Sequence, residues 1–414
     1  MNARLLIPLL IILLYVLSDV WLYKRLKKWY GERPSWRWIG KTYWASVIII
    51  VLGLGLIFYR MVAPPIFPSI WTNWFIGFSF SVLVCKMLLG IWMMLDGFIH
   101  LPFWVRQKVT GKAPSERYSN SRRKFVQTSG IVMAGLPFLS MVKGITFGKY
   151  DYRVHRVPLT FPNLPKAFDG FTIAQLSDIH TGSFDSKSSV LKGIEMVNDL
   201  KADLVVFTGD LVNSRSDEVL PFMDIFSKLS SPNGVMSTKG NHDYGIYYQW
   251  ENQEAHTQDQ LNLAKYHKEL GFDLLNNENR ILEKDGEKMA IVGVENWGLP
   301  PFPQVGDLDK ALQGTEEVPF TVLLSHDPSH WDEKVLSHSR NIDLTLSGHT
   351  HGMQFGVDLT WLKWSPVKYK YPRWAGLYRE ADQYLYVNRG FGFIGFPGRV
   401  GILPEITLFE LKRG

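Results

Sequence analysis

The stretch Gly234-Val-Met-Ser-Thr-Lys-Gly-Asn-His-Asp243 joins a short apolar segment to an amide, an imidazole and a carboxylate. The apolar part predicts a strand, and the tetrad Gly240–Asp243 follows it directly. Residues of these types also form ordinary turns, so the tetrad alone is equally consistent with a plain turn. Its interpretation depends on whether other predicted strands end in the same way.

Four further predicted strands in the second half of the chain also end in side chains that can bind a metal. They are Phe171–Ser177, Asp203–Thr208, Phe320–Ser325 and Ile342–Ser347, followed by Asp178 and His180, by Asp210, by His326, and by His349 and His351. Helical spacing of apolar residues between these strands predicts sheets covered by helices. Open α/β sheets bind ligands at the carboxyl ends of their strands, so these side chains are expected to meet.

Together with Asn241 and His242, these strand ends supply two carboxylates, one amide and five imidazoles, but no thiolate. Such a mixed oxygen and nitrogen set suits Mn, Fe, Zn or Co better than Ca or a structural zinc ion. Each cluster alone could be a turn or a capped helix start, but five such accidents at successive strand ends are implausible. The sequence therefore predicts a metal centre.

The order of these groups resembles the calcineurin-like metallophosphoesterase family, whose pattern is Asp-x-His, Gly-Asp, Gly-Asn-His-Asp/Glu, a later His and Gly-His-x-His. All five blocks occur in this order between Asp178 and His351. The segments 176–180 and 403–407 resemble the membrane-linked bacterial branch of that family. Met353 stands where that branch often has a second glycine, at the rim of the expected site, where it bears on substrate preference rather than on metal binding.

The resemblance implies both a fold and a set of metal ligands. The fold is a four-layer α/β/β/α sandwich, in which two sheets pack face to face with helices outside. One divalent metal would be held by Asp178, His180 and His351, and a second by Asn241, His326 and His349, with Asp210 bridging the two. The identity of the metals (Mn, Fe or Zn) stays open.

Two cations about 3.5–4 Å apart can hold a hydroxide between them for attack on phosphorus and can clamp the phosphate oxygens. The leaving oxygen still needs a proton, and His242, next to Asn241, is the candidate acid. Asp243 is expected to orient His242 or to set its protonation. The sequence thus predicts a metal-dependent phosphoesterase with His242 and Asp243 as catalytic residues.

The first 150 residues contain apolar runs that predict a bundle of about four transmembrane helices, followed by a metallophosphoesterase domain at 151–414. The runs are 5–23, 43–63, 74–95 and the more polar 129–147, and each has about the length that a bilayer-spanning helix needs. Lys86 lies inside the third run, where pairing with Asp19 or Asp96, or snorkelling, is favoured over a functional role. Because Cys85 is the single cysteine, a disulfide framework and a Cys-ligated zinc site are excluded.

Basic residues crowd into 24–41 and 106–124, whereas the connection Pro64–Asn73 carries no charge. The positive-inside rule places both basic loops in the cytoplasm and, if the fourth run spans, the catalytic domain on the outer (periplasmic or extracellular) face. The stretch 121–127, with Arg122 and Arg123, resembles the twin-arginine export signal of bacteria, although two ordinary positive-inside arginines would look the same. Membrane topology rather than nucleic-acid binding therefore accounts for the net charge of +6 and the pI of about 9.1.

Aromatic and basic side chains are mixed in 361–378, and aromatic ones follow the tetrad in 244–250, which suits a lipid headgroup interface and equally an ordinary packed edge. We expect a multi-pass protein of the cell membrane that cleaves a phosphoester or pyrophosphate bond of a cell-envelope or lipid-linked substrate. Its partners would be that phosphorylated small-molecule or lipid-linked substrate and membrane lipid, without nucleic acid. The alternatives are a broad phosphodiesterase acting on soluble or wall-polymer substrates and a non-catalytic membrane sensor or assembly factor. The sequence leaves the oligomeric state open.

Overall fold

The computed structural model describes residues 3–60, 69–111 and 116–414 of the chain. The side chains at 3–8, 29, 60, 69–70, 116–120 and 123 lie outside this description. The chain divides into two compact units, Met1–Ile145 and Thr146–Gly414, and the described residues of each form hydrophobic clusters of their own.

The first unit consists of long helices. They are α1 (Ala3–Tyr30), α2 (Trp36–Arg60), α3 (Ser69–Thr110) and α4 (Glu116–Thr146). Within the part of this unit that the structure describes, three segments are long and apolar enough to cross a bilayer: Trp36–Tyr59, Trp71–Thr110 and Lys124–Thr146. The predicted runs 5–23, 43–63, 74–95 and 129–147 fall on α1 to α4 in turn, except that 61–63 lie outside the described residues and Phe147 follows the end of α4. Residues 64–68 of the predicted neutral connection also lie outside them.

Charged side chains join the helices of this unit. Lys86 Nζ on α3 lies 3.2 Å from Asp19 Oδ1 on α1, which confirms the expected pairing with Asp19. Tyr43 on α2 donates a hydrogen bond to the same buried carboxylate, so Asp19 connects three helices. On α4, Arg122 donates two hydrogen bonds of 3.1 and 2.6 Å to Asp96 on α3. The first arginine of the twin-arginine-like stretch is therefore engaged within the unit, while the side chain of Arg123 lies outside the described residues.

The strands of the second unit form two six-stranded sheets and a separate hairpin. In spatial order, the first sheet contains β1 (Arg153–Phe161), β14 (Glu405–Arg413), β2 (Thr172–Leu176), β3 (Leu204–Thr208), β4 (Val235–Thr238) and β5 (Phe272–Leu274). The second contains β12 (Gly376–Glu380), β13 (Gln383–Val387), β9 (Leu344–Ser347), β8 (Thr321–Leu324), β7 (Glu287–Gly293) and β6 (Glu278–Lys284). The hairpin pairs β10 (Val357–Leu359) with β11 (Leu362–Trp364).

The two sheets pack face to face, with helices on both outer sides. Inward-facing Ile173 and Val206 of the first sheet share one core with Ile291 and Leu324 of the second. Side chains alternate along each strand, so the neighbouring residues face outward and form two further cores. Helices α5 (Lys187–Asp199), α6 (Met223–Phe226) and α7 (Gln253–Glu269) cover the first sheet, and α8 (Leu308–Ala311) and the turn Trp331–Val335 cover the second. The predicted four-layer sandwich is confirmed.

Some elements differ from what the sequence pattern predicts. Apolar spacing at 217–229 predicts a helix, but a 3-10 helix at Ser216–Phe222 precedes the single turn of α6, because Pro221 lacks the amide that a regular helix needs. The structure also contains β1, a strand that the sequence analysis does not name, at the edge of the first sheet, where Pro158 is tolerated. These differences lie away from the strand ends that build the site.

Candidate metal centre

The polar residues that follow five strands meet at one edge of the sandwich. The loops after β2, β3 and β4 carry Asp178, His180, Asp210 and Asn241, and the loops after β8 and β9 carry His326, His349 and His351. Five of these residues have a left-handed backbone with φ between 50° and 70°, namely Asp178, His180, Asp210, His349 and His351. Residues other than glycine adopt this conformation rarely, and such strain is concentrated at functional sites. Here the sharp turns direct the side chains towards one another.

Asp178, His180 and His351 form the first group of donors. The Nε2 atoms of His180 and His351 are 3.0 Å apart, and His351 Nε2 lies 3.2 Å from Asp178 Oδ1. All three side chains are buried, and their donor atoms lie within 4.8 Å of one another. This is the spacing expected of side chains that share one cation.

Asp210, His326 and His349 form the second group, with the same upper limit of 4.8 Å between donor atoms. Asn241 adds an amide oxygen, because its Oδ1 lies 2.8 Å from His349 Nδ1. The Asp210 Oδ2 atom is 3.1 Å from His326 Nε2 in this group and 3.5 Å from His180 Nε2 in the first. Asp210 therefore lies between the groups, where a bridging ligand has to be.

Several of these candidate metal ligands are also hydrogen-bonded to groups that the sequence did not point to. Tyr371 Oη lies 2.8 Å from His349 Nε2, and Tyr247 Oη accepts a hydrogen bond of 2.9 Å from Asn241 Nδ2. The Nδ1 atom of His326 donates to the backbone carbonyl of Thr208 over 2.7 Å. Such contacts fix the orientation of ligating side chains. Tyr247 and Tyr371 lie in the aromatic stretches noted in the sequence, but nothing in the pattern distinguishes them from their neighbours.

Burial and neighbouring charges shift the pKa of four of these residues towards the form that a metal ligand needs, and His326 is shifted the other way. Burial opposes ionisation of Asp178 and Asp210, but the surrounding imidazoles, chiefly His351 and His326, hold the pKa of both carboxyls below the usual value. Burial lowers the pKa of His180 and His349, which favours their neutral form. For His326 burial acts in the same direction, but Asp210 raises its pKa to about 10. A cation bound beside Asp210 would replace the proton that His326 otherwise carries.

His242 and Asp243, the predicted catalytic residues, contact different parts of the site. The His242 backbone amide donates to Asp210 Oδ1 over 2.8 Å, and its Nδ1 donates to the carbonyl of Asn213 over 2.6 Å. The His242 ring lies 4.9 Å from the ring of His180. The Asp243 carboxylate instead accepts four backbone amides, from Asp210, Leu211, Val212 and Gly240.

Asp243 thus joins the loop after β3 to the loop after β4. The structure records no hydrogen bond between the side chains of Asp243 and His242. Burial, followed by the charge of Asp210, raises the pKa of Asp243 to about 6, while the backbone amides act in the opposite direction.

Met353 is exposed at the turn that follows His351. Its side chain is 56% exposed and its φ is 54°. This left-handed backbone is the conformation that favours glycine, which gives a physical reason for the glycine that the related branch often has there.

The donor set fits divalent cations. Two carboxylates, one amide and four imidazoles converge in a buried region, and two imidazole nitrogens face each other at 3.0 Å. Without a cation, two neutral rings in that arrangement can share only one proton, and buried carboxylates need positive charge nearby. Oxygen and imidazole ligands without thiolates are typical of hydrolytic metal centres rather than of structural zinc sites.

Comparison with known proteins agrees with this geometry. A sequence profile described as calcineurin-like phosphoesterase matches residues 171–353. The metallophosphoesterase YkuE of Bacillus subtilis is 30% identical over 311 residues, which are 70% of this chain and 98% of YkuE. The chain belongs to the calcineurin-like metallophosphoesterase family. It is a metal-dependent phosphoester hydrolase.

The first unit has relatives as well. A profile described as the transmembrane domain of a probable calcineurin-like phosphoesterase matches residues 3–149. A transmembrane protein with a metallophosphoesterase domain from Danio rerio is 27% identical over 417 residues, covering 97% of this chain and 87% of that protein. The phosphodiesterase YaeI of Escherichia coli is 26% identical, in an alignment that covers 70% of this chain and 99% of YaeI. The chain is therefore a membrane protein with a phosphoesterase domain.

Proposed function

We propose that the seven donor residues hold two divalent cations and that the chain hydrolyses a phosphoester or pyrophosphate bond of a cell-envelope or lipid-linked substrate. The observation that carries this proposal is the position of Asp210, whose carboxylate lies within 3.5 Å of an imidazole nitrogen in each donor group. When bound, the two cations supply a water-derived nucleophile and neutralise the charge on the phosphate oxygens.

His242 is the proposed proton donor to the leaving oxygen. The carbonyl of Asn213 can only accept, so the proton that His242 shares with it is on Nδ1. The free Nε2 therefore carries the second proton when the ring is cationic, and this is the proton that can move to the leaving group. Asn213 and Asp210 fix the position of His242 through its ring and its backbone.

Asp243 has a different proposed role from the one its sequence position suggests. Its carboxylate accepts four backbone amides from the loops that carry Asp210 and Asn241. We propose that it holds these two donors in place and takes no part in proton transfer.

The proposed location is the cell membrane, with several spans and the phosphoesterase domain on the outer face. Support comes from the basic segments at 24–41 and 106–124 and from the uncharged connection at 64–73. A reporter enzyme that works only in the periplasm or outside the cell should be active when it is fused after Gly414. Activity of a cytoplasm-dependent reporter at the same place would refute this orientation.

Hydrolysis of bis-p-nitrophenyl phosphate by the purified full chain in detergent tests the chemistry, with Mn, Fe or Zn added after chelation. We expect metal-dependent turnover that Asp210→Asn abolishes. If no metal restores turnover to the wild-type chain, the rival non-catalytic sensor or assembly factor is favoured. Lipid extracts and wall polymers offered to the active enzyme then separate a lipid-linked substrate from the soluble or wall-polymer alternative.

A further inference from the structure

The hairpin formed by β10 and β11 is a two-stranded sheet separate from the two large sheets. We call residues 357–364 the docking hairpin. Its turn is Thr360-Trp361, where Trp361 is 78% exposed, and the flanking pair Leu359 and Leu362 is 50% and 41% exposed. A tryptophan and two leucines exposed together at the tip of a hairpin are unfavourable in water, and such apolar patches are typical of interaction sites.

The hairpin is mounted firmly and close to the metal centre. Ser365 Oγ donates to the carbonyl of Gly352 over 2.7 Å, and the Gly356 amide donates to the carbonyl of Val400 over 3.0 Å. Gly352 directly follows His351, a member of the first donor group, and the next residue, Met353, is exposed. The tip is therefore attached through a short segment to the rim of the centre.

Another exposed hairpin in the same unit provides a contrast. The turn between β6 and β7 consists of Asp285 and Gly286, flanked by Lys284 and Glu287. Polar and charged residues are what a solvated hairpin carries. The apolar tip of the docking hairpin is thus a property of that hairpin and not of exposed turns in this fold.

The chain segment that contains the docking hairpin is basic. Residues 355–375 contain four basic side chains and one acid, Asp358, which is itself paired with Arg389 at 2.8 Å. Among the described residues, neither Lys368 nor Lys370 has an acidic group within ion-pair distance. Lys370 lies over the ring of Phe302, which in turn lies 4.8 Å from the ring of His349. Unpaired positive charge therefore extends to the edge of the metal centre.

We propose that the docking hairpin, with Lys368 and Lys370, seats this rim on the headgroup region of an anionic phospholipid bilayer. Tryptophan with adjacent lysines is the combination that suits the boundary between acyl chains and anionic headgroups. A second copy of the chain is a poorer occupant, because a basic surface facing its own copy brings like charges together. That a docked headgroup phosphate reaches the metal centre rests on the proposed function, whereas the docking itself does not.

Site-specific labelling of the full chain tests the docking. The single native cysteine is removed as Cys85→Ser, and a fluorescent label is attached at Thr360→Cys in the turn of the docking hairpin. Lys284→Cys at the other exposed hairpin is the matched control. Both proteins are reconstituted into vesicles of phosphatidylcholine with phosphatidylglycerol, or of phosphatidylcholine alone, and both vesicle types also contain nitroxide-labelled lipid.

In the anionic vesicles, the label at position 360 should be blue-shifted and quenched by the lipid nitroxide, while the label at 284 should behave as in water. Lys368→Glu should lower the ratio of docked to undocked hairpin about fivefold or more, since each basic residue near an anionic surface contributes about 1 kcal/mol. Lys288→Glu at the control hairpin should leave that ratio unchanged.

Three results would overturn the proposal. Equal quenching at 360 and 284 would show no specific docking, and equal quenching at 360 in neutral vesicles would exclude the anionic headgroup as the partner. A blue shift at 360 without lipid quenching would indicate that protein, such as a second copy, covers the tip. None of these readings requires turnover, and Asp210→Asn protein should dock like the parent, so a failed phosphoesterase assay would leave the docking result intact.

Discussion

At the scale of single residues, His242 is the proposed proton donor and is not among the seven candidate metal ligands. Its ring is fixed through Nδ1 by the carbonyl of Asn213. His242→Ala should therefore lower turnover about 10²–10⁴-fold, the usual contribution of a general acid, while bound metal stays at the wild-type level. His256 also hydrogen-bonds a backbone carbonyl but belongs to neither donor group, so His256→Ala is the control.

Turnover and elemental analysis of the same His242→Ala sample decide the question. Loss of metal together with activity would mean that His242 supports the donors and is not the acid.

Asp243 should behave in the opposite way. Asp243→Asn offers one oxygen in place of two and puts an amide group against backbone donors, so at least two of the four hydrogen bonds are lost. We expect the free energy of unfolding to fall by about 3 kcal/mol, with metal content falling as well. Chemical denaturation checks this, and a stable, metal-loaded variant that only turns over slowly would instead restore the catalytic role.

The limits of sequence reasoning are visible among these residues. The strand ends single out the seven donors together with His242, because parallel strands bring their carboxyl ends to one edge, and the family resemblance separates His242 from the ligands. The structure does bring the seven together. Their role as ligands stays a prediction. The contacts of Asp243, Tyr247 and Tyr371 could not be predicted, because they depend on distances between loops that no periodicity encodes.

At the scale of elements, the pair formed by Lys86 and Asp19 should stabilise the helices it joins. Removing one partner leaves a buried charge, so Lys86→Met should lower the stability in detergent by about 3–5 kcal/mol, whereas the double variant Asp19→Asn with Lys86→Met should recover much of the loss. A thermal unfolding series on Lys86→Met, on Asp19→Asn and on the double variant measures this. Additive losses in the double variant would show that the pair does not couple the helices.

Helix α7 carries a buried histidine that links stability to pH. His267 lies against the first sheet, its Nδ1 is 3.0 Å from Ser237 Oγ, and burial lowers its pKa to about 3. Because the unfolded histidine ionises near pH 6.5, the unfolded state binds more protons below that pH, and stability should fall as the pH drops from about 6.5 to 3.

His267→Gln keeps a polar side chain that cannot ionise, so it should flatten this part of the stability profile. Denaturation midpoints at pH 7, 5.5 and 4 provide the measurement. Parallel profiles for the two proteins would show that His267 makes no such contribution.

The elements that sequence reasoning found are those with enough residues to show a pattern. Buried β2 and β3 fall close to their predicted positions, and amphipathic α5 lies between them, where helical spacing predicts a helix. The strands β10 and β11 have three residues each, too few for an alternation to appear. Their exposed tip, which carries the docking proposal, was visible only as a mixture of aromatic and basic residues.

At the scale of the whole molecule, the chain combines apolar helices with a phosphoesterase sandwich. The four-layer fold and the family follow from motifs and alternation and are confirmed. The orientation, the membrane spans and the substrate stay predictions. The orientation rests on charge bias, which is a statistical guide. The substrate stays open because a metal centre built from these residues would act on a phosphate group whatever it is attached to. The domain boundary near residue 150 is likewise a proposal, although Ile145 ends the first compact unit.

The central claim is that the two donor groups hold two cations that make phosphoester hydrolysis possible. Elemental analysis and bis-p-nitrophenyl phosphate turnover on one purified full-chain sample test it most directly. We predict two divalent metal ions per wild-type chain with turnover, and fewer than two with no turnover for Asp210→Asn. Turnover that persists after complete metal removal, or an Asp210→Asn chain that keeps both ions and full activity, would contradict the claim.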